Sequence, residues 1–350
     1  AATHATVGSV AIGKNAMYYN STTNYCVAVG EDALMGSSSD PWMTGDYNVA
    51  IGRQALSSTT SGYGNTAVGY IAGGSMTTGR DNVLVGLQAG QYITGGVENT
   101  VVGYLAGRNL TNGNYNTLMG WYAGSSQTST KRNTFLGYAA GKDYVQTGDA
   151  KNTAVGMYAM TDIQSGSNNT AVGYEALKGY GGSSADNDYN TAIGFGALAG
   201  INGGDNNTAI GYKAGYNITT GTGNVFLGYE AAANSDHDTE SNKLVIANSN
   251  TTTPLIGGDF SSGGSLIFYA SGNAPDSFRV IGSQTSTNGA DGITIDAYEP
   301  RLKLVNRRGT DETWSLNADN ENSSLQIKKD SQLVKAIFSP DDGGGVTFGI

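Results

Sequence analysis

The side chains able to do chemistry are few and scattered. Histidine occurs twice, as His4 and His237, and cysteine once, as Cys26. No Cys/His cluster for zinc can be assembled from these, and no intrachain disulfide is possible. Neither a Gly-x-Ser-x-Gly elbow nor a phosphate loop with its Gly-Lys-Ser/Thr is present. Glycoside hydrolysis needs two carboxylates about 5–10 Å apart. Acids of the last third such as Asp259, Asp276, Asp296 and Glu299 could pair in space, but no spacing singles out an acid–base pair. The acidic turn at Asp186, Asn187 and Asp188 lacks the ligand spacing of calcium loops. The expectation is a chain without catalytic residues, metal or cofactor. Candidates for surface recognition are aromatic and cationic: Trp42, Tyr298, Arg307, Arg308 and Trp314. Such side chains combine a flat apolar body with a polar handle or a guanidinium fork. Against that, Trp42 can equally cap a neighbouring coil, and Trp314 alternates inside a strand, where core burial competes with exposure.

What must position them is a repeat. Asn65-Thr-Ala-Val-Gly-Tyr-Ile-Ala72 returns as Asn169-Thr-Ala-Val-Gly-Tyr-Glu-Ala176, and with small changes at Asn190 and Asn207. Taking its glycine as origin, 13 units run from Gly13 to Gly228 at a step of 17 residues, with insertions of 5, 2 and 4 residues at three places. Insertions that leave the pattern intact on both sides belong in loops. Seventeen residues are too few for a strand–helix–strand unit of about 30. They suffice for short strands and turns, one coil of a parallel β-solenoid.

Each column of the repeat has a reading. Alanine stands three after the glycine in all 13 units, where only a methyl fits, and asparagine four before it in 11 of 13. Asparagine suits turns and can stack into a hydrogen-bonded ladder; Cys26 occupies one such position. A glycine in a strand marks a bend or a close backbone approach. The aliphatic residue before the glycine is expected to form the inward stack. Alternation then sends the residue two before it to the opposite face. That column holds Leu84, Val101, Leu118, Phe135 and Phe226 among alanines. A strand apolar on both faces is normally buried on both, so these five are expected to meet another copy of the chain. A fainter second strand is expected seven after the glycine, at Met76, Ile93 and Leu110. The residue after the glycine is mainly aromatic from Tyr70 to Tyr229, and is expected to stack along the coils.

These repeats resemble the head repeats of trimeric autotransporter adhesins and similar repeats of bacteriophage tail fibres, over about residues 9–233. The resemblance implies a left-handed parallel β-roll, three chains about one axis, and attachment to a cell surface, on a virion tail or a cell exterior. The residues alone argue for a solenoid in more than one copy.

Glycine is 53 of 350 residues, charged residues are 14% and net charge is −10. Low charge and regular apolar columns argue against disorder, and acidity without a basic stripe argues against nucleic acid. No apolar run is long enough to span a membrane as a helix. The chain starts almost inside a repeat and reads as a piece of something longer. The whole is expected to be all-β: a solenoid of about 13 coils over 1–233, assembling as an intertwined or side-by-side trimer, a connector over 234–269, and an antiparallel, sandwich-like tip over 270–350. The tip's strands, expected at 277–281, 293–295, 301–305, 313–316, 325–327, 334–338 and 346–348, alternate apolar and polar residues between Asn, Asp and Gly turns. The function expected is a non-catalytic, receptor-binding fibre whose partner is a cell-surface glycan or protein. A glycan-depolymerising spike is the first alternative. An ice-binding solenoid is the second, though its threonine column is broken by Val49, Val83 and Val225.

Overall fold

The structure, a computed structural model, describes residues 7–20, 22–37, 44–180, 185–234, 238–252 and 254–261. Beyond these it gives the backbone of five strands: Leu266–Phe268, Arg301–Asn306, Glu312–Asp319, Ser324–Lys329 and Gln332–Ala336. The chain divides into two units at Pro275/Asp276.

In the first unit, each repeat contributes one three-residue strand, from Val10–Ile12 to Val225–Leu227, 13 in all. Each pairs in parallel with the next coil's strand at equivalent positions, as Thr66 with Val83 and Val68 with Val85. This is a parallel β-solenoid of about 13 turns. Lys243–Ile246 adds a further parallel strand. Ile256–Asp259 and Leu266–Phe268 then pair antiparallel, so the sheet edge at this end is covered by a turned-back hairpin. The ion pair Lys243–Asp259, at 2.8 Å, ties that hairpin to the last parallel strand and holds the Asp259 carboxyl well below the usual carboxylate range.

The rest of each coil is turn. The expected second strand is not a regular element: among the described residues that side has the paired two-residue strands Thr130–Lys131 and Gly148–Asp149 and otherwise single bridges, at Arg80–Val97, at Asn114–Lys131 and at Asn20 and Ile163. Hydrogen bonds between coils nevertheless continue around the turns. Three positions per coil take left-handed backbone, at five before, two after and four after the glycine, as at Asp81, Gln88 and Leu56. A left-handed residue costs an L side chain roughly 1–2 kcal/mol. Here it directs the amide along the stack: Asp81 N donates to Tyr63 O at 3.1 Å, Gln88 N to Tyr70 O at 2.8 Å and Leu56 N to Ala72 O at 3.0 Å. The amide that a lone coil would leave unpaired finds its acceptor in the neighbouring coil.

The repeat's glycine permits the coil spacing itself. It sits at φ between 118° and 141°, and a Cβ on Gly69 would lie 2.3 Å from the carbonyl oxygen of Gly86. The alanine column is buried throughout, as a methyl-sized space requires. The asparagines form the expected ladder. Asn82 Nδ2 donates to Asn65 Oδ1 at 2.9 Å and to Gly96 O at 2.8 Å, while Asn82 N donates to Asn65 Oδ1 at 3.1 Å. Cys26 continues it with sulfur: Asn48 N donates to Cys26 Sγ at 3.4 Å and Cys26 N to Ser9 Oγ at 3.1 Å. Burial pushes this thiol's pKa up, which suits a packing role. The ladder is weakest at Asn133, where the following coil carries the two-residue insertion: its Nδ2 is buried without a partner, as are the side-chain polar atoms of Gln127 and Thr130 Oγ1.

The two faces of the strand are the reverse of the sequence expectation. Leu84, Val101, Leu118 and Phe135 are completely buried and Phe226 nearly so, all within their own chain, and none faces a second copy. The aliphatic residue before the glycine, expected inside, points out: Ile12, Ile51, Met119, Leu136, Val172, Ile193, Ile210 and Leu227 are exposed. The reason is a volume exchange inside each coil. Where the inward strand residue is alanine, the position four after the glycine is usually large: Ala28 with Leu34, Ala50 with Leu56, Ala154 with Met160, Ala171 with Leu177 and Ala192 with Leu198. Where it is large, that position is glycine, as Leu84 with Gly90, Leu118 with Gly124 and Phe135 with Gly141. A Cβ on Gly141 would meet the Phe135 ring at 2.2 Å. At two boundaries the large group reaches over from the next coil, Leu84 onto Gly73 and Phe226 onto Gly215. One coil thus encloses its own Leu or Phe, and no partner is needed to cover them.

In the second unit the described backbone forms one four-stranded antiparallel sheet, from Arg301–Asn306 to Gln332–Ala336 in chain order. These strands match four expected from alternation. The expected strands at 277–281, 293–295 and 346–348 lie outside the described residues.

Ala171→Leu overfills a coil and is expected to cost about 1–3 kcal/mol, read as a lowered thermal midpoint by circular dichroism. Adding Leu177→Gly removes the matching volume and should restore most of the loss; a double variant less stable than either single one would refute the exchange.

Candidate functional site: the outward apolar face

Two columns flank the repeat's glycine and both stand in water. The residue before it is the aliphatic column just described. The residue after it is Tyr70, Leu87, Tyr104, Trp121, Tyr138, Met157, Tyr174, Phe195, Tyr212 and Tyr229 from the fourth coil on, each 36–52% exposed. The 17-residue register sets each column one coil above the last. The rings stack as expected: Tyr174–Phe195, Phe195–Tyr212 and Tyr212–Tyr229 lie near-parallel at 4.9, 5.1 and 5.0 Å between centroids. Tyr104, Trp121 and Tyr138 continue the line at 4.7 and 6.1 Å with tilted planes. Offset ring pairs add about 0.5–1.5 kcal/mol each beyond area burial. They also use up ring faces and leave rims outward.

The size of this face sets it apart from scattered surface apolar residues. At about 150–250 Å² per aromatic side chain, the eight aromatic residues after the glycines leave on the order of 700 Å² in water, tyrosine hydroxyls included, and Leu87 and Met157 add to it. The largest apolar patch on a typical monomer is roughly 300–600 Å², and each partner gives ~800 Å² to a standard interface. The aliphatic column enlarges the area further. The first three coils differ. Their residues after the glycine are Lys14, Glu31 and Arg53, joined by ion pairs at 3.3 and 3.2 Å; these are exposed pairs of small energetic value. The apolar stripe after the glycine therefore begins at a defined coil.

Of the residues singled out for recognition, Trp42, Tyr298, Arg307 and Arg308 lie outside the described residues. Trp314 lies in the strand Glu312–Asp319, opposite Leu304 on one side and Lys329 on the other. His4, His237, Asp276, Asp296 and Glu299 also lie outside the described residues. Asp259 is engaged by Lys243 and by Ser261 N. Asp188 accepts from Ser167 N, and Asp205 accepts from Asp188 N at 2.7 Å, so these acids bridge turns between coils. Among the described residues no group of three His, Cys, Asp or Glu could hold a metal ion, and no helix is long and apolar enough to cross a membrane.

Sequence reasoning missed which columns face outward. The signal was available in the exchange between the inward strand position and the position four after the glycine. No protein-family model matches the chain, and neither a curated protein nor a solved structure matches it.

With Trp42 and Trp314 replaced by phenylalanine, Trp121 emission should be quenched by iodide at nanomolar protein and protected at micromolar protein as the stripe becomes covered. Quenching independent of concentration would show that the face stays wet.

Proposed function

We propose that this chain is the shaft of a homotrimeric, non-catalytic fibre that attaches to a cell surface from outside the cell, on a virion tail or a cell exterior. The observation that carries the self-association is the two-column apolar face, larger than a solitary solenoid keeps in water. It replaces Leu84, Val101, Leu118, Phe135 and Phe226 as the surface offered to other copies. Threefold number follows from the resemblance of the Asn-Thr-Ala-Val-Gly-Tyr repeat to adhesin heads and tail fibres, and attachment follows from the same resemblance. Residues 270–350 serve as a sandwich-like tip in this reading, with Tyr298, Arg307, Arg308 and Trp314 as contact candidates. Copies joined along the coils would present weak sites in threes, and linked sites gain avidity without new contacts. The partner in this reading is a glycan or protein of the cell surface, and nucleic acid is disfavoured by the net charge of −10.

Sedimentation equilibrium at micromolar protein should give three times the 36.0 kDa chain mass. Leu136→Asp together with Ile193→Asp should shift the mass to that of one chain while leaving the circular dichroism of the solenoid in place. A folded monomer of the unaltered protein at that concentration would overturn the fibre.

A further inference from the structure

In a chain with so few reactive side chains, the most labile bond is one between asparagine and glycine. Glycine presents an amide nitrogen that no Cβ shields, on a backbone free to bring it toward the asparagine Cγ. The described residues hold this pair twice, at Asn112–Gly113 and Asn202–Gly203, both on the turn side of a coil. The two differ in what holds the glycine amide. Gly203 N donates to Asn187 Oδ1 at 2.8 Å. Gly113 N donates to no acceptor among the described residues, because Thr111 N and Asn112 N both take the nearby Thr128 O, at 2.7 and 3.3 Å. In earlier coils the equivalent glycines, Gly62 and Gly79, do reach the corresponding carbonyls of Thr77 and Thr94, at 3.0 and 3.1 Å.

The asparagine side chain is placed for the reaction as well. Asn112 is exposed, which gives ammonia an exit and water an entry. Its Oδ1 leans over the coil below, 2.9 Å from where a Cβ on Gly95 would lie, and accepts from Thr94 Oγ1 at 3.2 Å. A donor on this oxygen stabilises the negative charge that develops there when a nucleophile adds to Cγ.

We propose that Asn112–Gly113 is a self-modification site at which the folded protein converts Asn112 to aspartate and isoaspartate. Gly113 N adds to Asn112 Cγ and gives up its proton. The Cγ–Nδ2 bond breaks, ammonia leaves, and a five-membered succinimide remains. Water then opens the ring. Breaking the bond from Gly113 N to Cγ leaves aspartate on an unchanged main chain. Breaking the bond from Gly113 N to the Asn112 main-chain carbonyl carbon leaves isoaspartate, with the main chain rerouted through Cβ and Cγ and one atom longer. Water is the only co-reactant, and nothing is oxidised or reduced. Both products add a negative charge to the turn. Isoaspartate also displaces Gly113, where the packing has no slack: Gly113 O accepts from Asn99 Nδ2 at 2.8 Å, and a Cβ on Gly113 would lie 2.5 Å from Thr130 O. The asparagine ladder then loses the acceptor of a buried amide. This chemistry belongs to the single chain and is independent of the fibre reading.

The test follows the unaltered protein by peptide mapping and mass spectrometry during incubation in mildly alkaline buffer at physiological temperature. An isoaspartyl methyltransferase reports the isoaspartate fraction. In the folded protein Asn112 should react about tenfold or more faster than Asn202. In the same protein unfolded by guanidinium the two rates should converge to within about threefold, since the dipeptide is the same. Asn187→Ala frees Gly203 N and should raise the Asn202 rate severalfold without changing that of Asn112. Thr94→Val should slow Asn112 by about threefold or more and leave Asn202 alone. Circular dichroism confirms the fold of both variants. An Asn112 that stays intact in the folded protein, or reacts no faster than Asn202, overturns the site. A contrast that persists after unfolding overturns its structural cause, and an Asn112 rate indifferent to Thr94→Val overturns the part given to that hydroxyl.

Discussion

Everything in the solenoid depends on the approach of one glycine to the next. At each of the 13 repeat glycines a side chain would collide with backbone of the following coil, at Gly13 against the carbonyl oxygen of Gly30, 2.4 Å away. The coils can therefore stack at strand spacing on this line only if no side chain is there. Once they do, two further columns come into range. Buried asparagines can bond to one another and to a carbonyl 14 residues on, as Asn99 does to Asn82 and Gly113. Left-handed turns can send their amides into the neighbouring coil. An asparagine buried without those partners would cost about 1–3 kcal/mol, and a left-handed leucine without its intercoil bond has nothing to offset its strain. The glycine contact is what makes the other two columns favourable rather than costly.

This hierarchy explains how much of the structure was legible in the sequence. Glycine, alanine and asparagine each tolerate only one kind of environment here, so their columns read directly as close approach, methyl-sized space and ladder. The aliphatic positions do not have that property. Val68 and Ala67 differ in face, but alternation says only that the faces are opposite, not which is inside. Bulk pointed the wrong way, because Leu84 or Phe135 beside a column of alanines resembles an addition to a surface. The deciding fact lies six residues away, where Gly90 and Gly141 give up the volume that Leu84 and Phe135 take. Interiors pack at a nearly constant density, so a core position is recognised by its compensation, and a surface position by the lack of it. The residue before the glycine shows no such compensation, which is the mark of its exposure.

The second strand failed for a related reason. Met76, Ile93 and Leu110 are buried, as their apolar character suggested, but burial does not require a strand. Left-handed residues before and after this stretch keep the chain turning. Intercoil hydrogen bonds such as Thr77 N to Thr94 O, at 3.0 Å, satisfy the backbone without extended geometry. A solenoid needs its backbone groups paired along the stack, and strands are only one way of arranging that.

The division of the surface follows from the same economy of positions. Each coil has several columns enclosed, one laddered, two presented on either side of the glycine, and one at the turn. The column after the glycine is charged for three coils and apolar for the next ten. The turn column carries two stacked tyrosines at the charged end and, farther along, a mixture of charges, asparagine, glycine, Tyr115 and Tyr189. Since every coil has the same backbone, the backbone by itself does not require these changes: Asn206 or Gly223 fills the turn position as Tyr47 does, and Lys14 the flanking position as Tyr212 does. The long uniform stripe, by contrast, is the surface on which the proposed association of copies rests.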